Sequence, residues 1–155
     1  MSISTILQSV NEIPLGQKLD WLQDIRRAGS ARFGNLGLPS PKLEDWKYTN
    51  ILDLDEAGYR PAQESDGAAS VDVLPSIFEA GSPGARLVFV NGCVRHDLST
   101  PDSLPYGVTL ETISEVASRD SAFLENHLWQ IAQDENRSLL ALNNAAMNSG
   151  YVLHV

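Results

Sequence analysis

Hydrophobic positions near the start of the chain recur with helical spacing. Ile3, Ile6, Leu7 and Val10 follow the i, i+3, i+4, i+7 rule, which predicts a short amphipathic helix over residues 4–12 that Pro14 closes. A second stripe, Leu15, Leu19, Leu22, Ile25 and Phe33, predicts a longer helix with Lys18, Asp24, Arg26 and Arg27 mostly off its apolar face. Gly34 and Gly37 can each end it in a left-handed conformation, and the expected boundary lies near Gly34.

The pattern then breaks. From Asp55 to Gly84 the chain mixes Gly, Pro, Ser, Asp and Ala with few apolar anchors, so residues 55–84 are expected to be a loop or mobile segment. Beyond it, Arg86 to Arg95 places Asn91-Gly92 between β-rich runs, which predicts a hairpin with a two-residue turn. In that register Val90 faces Cys93, Phe89 faces Val94, Val88 faces Arg95 and Leu87 faces His96.

Gly107 to Ile113 alternates as a strand, and Ser114 to Ala117 starts a short helix. Asp120 or Ser121 then caps a helix carrying Phe123, Leu124, Leu128 and Ile131, with His127 and Trp129 flanking its apolar side. A last helix from Ser138 to about Asn148, ended by Gly150, is expected to present Leu139, Leu142 and Ala146. Tyr151 to Val155 reads as a strand whose backbone and apolar face would be left uncovered, so the expectation is a truncated chain. The fold class is therefore α+β, with an α/β region over 1–150 and the first strand of a further sheet at 151–155.

Composition narrows the function. With 155 residues and 43% hydrophobic, one ordinary core is possible. A formal net charge of −9 with scattered basic residues disfavours nucleic acid and anionic membrane as partners. The single cysteine, Cys93, excludes an internal disulfide and an all-cysteine metal cage, which fits the cytoplasm. No secretory pattern and no membrane-spanning apolar run are present.

Few residues suggest chemistry. A Cys93 nucleophile activated by His96 and oriented by Asp97 is the most tempting arrangement, but in a continuous strand Cys93 and His96 point to opposite faces. His127 and His154 could approach Cys93 only through folding, giving either a thiol/histidine enzyme or a metal site; packing and surface roles are the simpler account of each histidine. No phosphate loop is present.

One aromatic segment stands apart. Trp46 and Tyr48, two apart, would share a side in an extended backbone, and with Lys42 and Lys47 could form a ligand or peptide platform. Glu44 and Asp45 would repel an anion, and two rings anchoring a loop to the domain is the simpler account. No catalytic, cofactor-binding or metal-binding residue is assigned.

Three blocks, in order, resemble the SufD family of the SufBCD iron–sulfur cluster assembly complex. The first is Leu38-Pro39 with Lys42-Leu43-Glu44-Asp45-Trp46-Lys47-Tyr48-Thr49; the second is Arg86 to Gly92, followed by Leu98-Ser99 and by Leu104-Pro105-Tyr106-Gly107-Val108. The third is Leu140 to Val155. Cys93-Val94, Ala146 and Ser149 depart mildly from the family pattern.

The resemblance implies a noncatalytic scaffold or interaction region, lying ahead of a right-handed β-helix. It further implies the partners SufB and SufC, with ATP bound by SufC and an iron–sulfur cluster handled by the full complex, no cofactor being held here. Self-association through the last strand is a further expectation. The alternatives are the Cys93 enzyme and a free-standing peptide-binding module.

Overall fold

A computed structural model describes residues 19–55, 84–101, 104–132 and 136–155. The expected helix over 4–12 and nearly all of the expected 55–84 loop lie outside the described residues. Among those described, the fold is α+β, with four α-helices and two small antiparallel sheets. The chain divides into two units, one holding 19–55 with 113–150 and the other the described residues from 84 to 112 with 151–155.

The first unit is helical. Helix α1 runs Asp20–Leu36, with Asp20 in its first turn where the helix dipole favours a carboxylate. It stops at Gly37, whose φ of 65° lets its N–H reach back to the Phe33 carbonyl at 2.8 Å. The boundary expected near Gly34 is thus one turn late in reality, because only Gly37 takes the left-handed conformation that closes the last turn.

The buried residues of α1 are Leu22, Arg26, Gly29 and Phe33, spaced four, three and four apart as one stripe. Arg26, expected off that face, is only 5% exposed and donates from Nη2 to the Met147 carbonyl at 2.5 Å. Its desolvation pushes the guanidinium pKa down from its usual value. The long side chain thereby supplies a donor beyond the end of the last helix, where carbonyls lack intrahelical partners.

That last helix, α4, spans Ser138–Ala146 and packs on α1 through Ser138, Ala141, Asn144 and Ala145. Leu139, expected inside, is exposed, while Leu142 and Ala146 are only half-buried. The reason is the close approach of the two backbones at Gly29, where an added Cβ would lie 2.8 Å from the Ala141 carbonyl oxygen and 2.9 Å from the Ala145 nitrogen. A helix pressed against glycine must turn small residues inward, so the leucines face elsewhere. Ser138 Oγ donates to the Gly37 carbonyl, tying the start of α4 to the end of α1. Met147 takes an extended conformation and ends α4, so Gly150 is not its terminator.

Helices α2 (Ile113–Arg119) and α3 (Ser121–His127) pack against each other and bury Ile113, Val116 and Leu124. Asp120 joins them: its N–H bonds the Val116 carbonyl at 2.7 Å and its Oδ1 accepts from the Phe123 N–H at 3.0 Å. The expected cap is present. Helix α3 does not continue to Ile131, because Leu128 is extended and Trp129 has φ 60°, leaving Ile131 99% exposed.

In the second unit, strands β1 (Phe89–Val90) and β2 (Cys93–Val94) pair as expected, Phe89 with Val94 and Val90 with Cys93. Asn91 and Gly92, at φ 51° and 82°, form the turn with two positive φ angles. The Arg95 N–H still reaches the Val88 carbonyl at 2.8 Å, but His96–Leu98 then forms a 3-10 turn, so the expected pairing of Leu87 with His96 does not occur. Arg86 and Thr100 close the loop with reciprocal backbone bonds of 3.0 and 2.8 Å.

Strand β3 (Thr109–Thr112) pairs with β4 (Tyr151–His154), Thr112 opposite Tyr151 and Thr109 opposite His154. The last strand, expected to have unpaired backbone, is therefore paired along one edge. Tyr151 also meets the Phe89 ring edge-to-face, 6.1 Å between centroids.

Candidate functional site

Beside the α1–α4 crossing the described residues of the helical unit line an open cleft of about 490 Å³. Trp21, Ile25, Ala28 and Arg32 form one wall, a second stripe on α1 set one residue behind the buried stripe. Trp129 and Leu128, in the turn after α3, and Glu125 supply much of the opposite lining. Gly29 and Asn144 contribute where the two helices approach most closely.

The two indoles meet at 64° with centroids 6.3 Å apart. Neither indole N–H is available to a ligand: Trp21 Nε1 donates to Ser121 Oγ at 2.9 Å, and Trp129 Nε1 donates to Asn144 Oδ1. These bonds fix the ring orientations from both sides. What the rings can offer is carbon surface and π face. Asp24, Glu125 and Arg32 add charge at the lining, with Asp24 Oδ1 also receiving Arg27 Nη2.

The residues singled out in the sequence fall elsewhere. Glu44–Trp46 is a 3-10 turn, not an extended segment, so Trp46 and Tyr48 do not form a shared extended face. Trp46 is half-buried, whereas Tyr48 is 91% exposed and does not anchor the loop. Lys47 Nζ lies 5.6 Å from the Tyr48 ring centre and 3.8 Å from Glu44 Oε1, and Lys42 is exposed. Local hydrogen bonds, such as Thr49 N–H to the Trp46 carbonyl at 2.9 Å, favour the tight turn over a strand.

Cys93 is half-buried on β2. His96 belongs to a 3-10 turn, so the alternation of a continuous strand does not extend to it. Asp97 does not orient it: its carboxylate takes Arg95 Nε at 2.8 Å and Nη2 at 2.6 Å in a bidentate pair. The hydrogen bonds from Arg95 hold the Asp97 carboxyl below its usual pKa. His127 stacks on Phe123 at 4.3 Å, with Nδ1 2.7 Å from the Phe123 carbonyl oxygen, and His154 is exposed on β4. Among the described residues, no three His, Cys, Asp or Glu side chains gather as a metal site.

Comparison with known proteins gives the chain its context. The model of the SufBD protein N-terminal region matches residues 8–155. The chain belongs to the SufB/SufD family. Family members include the iron–sulfur cluster assembly SufBD family protein slr0076 of Synechocystis sp., 29% identical over 133 residues. The match takes in 84% of this chain and 28% of that protein, so it covers less than a third of the relative's length. No solved structure matches the chain significantly. Among the described residues, no helix is long and apolar enough to cross a membrane.

The tryptophan cleft was not visible in sequence as a site because its rings lie 108 positions apart. A partial signal did exist: Trp21, Ile25, Ala28 and Arg32 keep the same four, three, four spacing as the buried stripe beside them.

Proposed function

We propose that this chain serves as an N-terminal scaffold and interaction region of a SufD-type subunit in iron–sulfur cluster assembly, without catalytic activity of its own. The observation that carries this reading is the family match across residues 8–155, the same span that holds all three sequence blocks. The cluster assembly named for the Synechocystis relative supports the process. The SufD-like blocks favour that member of the family over SufB.

On this reading the iron–sulfur cluster is cargo of the complex, ATP is bound by the partner SufC, and SufB is the paired subunit, all in the cytoplasm. Strand β4 leads toward the right-handed β-helix that the family resemblance implies, and its second edge, which pairs with no strand among the described residues, provides a route for self-association. The hairpin and its Arg95–Asp97 pair act as structure. A bidentate arginine gives Asp97 a partner other than His96, which favours the scaffold reading over a Cys93–His96–Asp97 triad.

Anaerobic reconstitution with iron and sulfide, followed by absorbance, and calorimetry with ATP test the noncatalytic part of the proposal. Neither ligand binds this chain stoichiometrically if the reading holds. One cluster or one nucleotide per chain would refute it.

A further inference from the structure

We propose that the cleft between Trp21 and Trp129 binds an arginine side chain presented by a protein partner. The inference concerns a partner's side chain, and it holds whether or not the chain acts in cluster assembly. Its volume, about 490 Å³, lies within the range of small-ligand sites and accommodates a side chain together with adjoining backbone. Its chemistry selects among the side chains that could enter.

Both indole N–H groups are consumed by Ser121 and Asn144, so neither ring can donate a hydrogen bond to an incoming acceptor. Indole π faces attract cations, and tryptophan is the strongest aromatic partner for them. The charged groups of the lining are Asp24, Glu125 and Arg32. Asp24 is partly satisfied by Arg27, which leaves the exposed Glu125 as the principal acceptor.

Arginine fits these groups better than lysine. A planar guanidinium can stack on an indole while its edge meets a carboxylate in a fork, whereas an ammonium is more strongly hydrated and offers no flat face. Trp129 has φ 60°, a left-handed conformation uncommon for an aromatic residue, and its bond to Asn144 helps hold the ring against the cleft. Backbone held in such conformations concentrates at binding sites.

Titration of the whole chain with the blocked peptide acetyl-Ala-Leu-Arg-Leu-Ala-amide, followed by calorimetry and tryptophan fluorescence, tests the proposal. Peptides with citrulline or glutamate at the centre provide neutral and anionic comparisons. The expected result is saturable binding of the arginine peptide, with at least about tenfold weaker binding of the citrulline peptide, the ratio that about 1.4 kcal/mol produces. Glu125→Gln should weaken arginine binding several-fold without shifting the thermal unfolding midpoint, since Glu125 is exposed. Trp129→Phe should weaken it as well.

Absence of saturable arginine binding would overturn the proposal. Equal affinity for the citrulline peptide, tighter binding of the glutamate peptide, or unchanged affinity in Glu125→Gln would also overturn it.

Discussion

Gly29 and Ala141 stand so close that a single added methyl group on the glycine would come within 2.8 Å of the Ala141 carbonyl oxygen. This contact brings α1 and α4 together, and it explains why Ala141 and Ala145 are buried while Leu139 is exposed. Gly29→Ala gains about 1 kcal/mol in helix propensity, but it forces the Cβ against backbone atoms that cannot turn aside. Overpacking of this kind costs roughly 1–3 kcal/mol or more, so the variant should melt at a lower temperature.

Gly34 provides the opposing case on the same helix. A Cβ there meets nothing within 4 Å, and the residue lies inside α1 and is exposed. Gly34→Ala should raise stability by roughly 0.5–1 kcal/mol, measured by urea unfolding. A loss of stability would mean that α1 ends at Gly34 after all.

Asp120 ends α2 with its N–H and starts α3 with its carboxylate. Asp120→Ala should cost about 0.5–2 kcal/mol in denaturant unfolding, and Asp120→Asn should recover most of that loss because an amide oxygen can accept the same bond. Equal losses in the two variants would remove the cap as the cause.

The Arg95–Asp97 pair sets a pH dependence with a definite sign. Its hydrogen bonds lower the Asp97 pKa in the folded state, so the pair's contribution is complete above the unfolded carboxylate value and is lost as pH falls through the folded one. A carbon-detected NMR titration should place the Asp97 midpoint below the ordinary value of about 3.9. Arg95→Gln should return it toward that value.

Some local signals are legible in the sequence because they depend on a few adjacent residues. Asn91-Gly92 determined the turn and register of the hairpin, and Asp120 announced a helix start, without help from distant contacts. Tertiary choices were not legible in the same way. The inward face of α4 depends on a glycine more than a hundred residues away, and alanines carry too little hydrophobic signal to outrank Leu139 or Leu142. The burial of Arg26 follows from the Met147 carbonyl, and the pairing of Trp21 with Trp129 follows from the chain's return to α1. At Trp46 and Tyr48 the period-two reading yielded to a 3-10 turn stabilised by local backbone bonds.

A role in cluster assembly is tested most directly in cells of the source organism grown under iron limitation. Residues 19–150 would be deleted from the encoding locus, and the activity of a cytosolic iron–sulfur enzyme would be compared with its protein level. The account predicts that activity per enzyme molecule falls and returns when the segment is restored, while enzymes without a cluster are unaffected. Full cluster occupancy and activity in the deletion strain would contradict it.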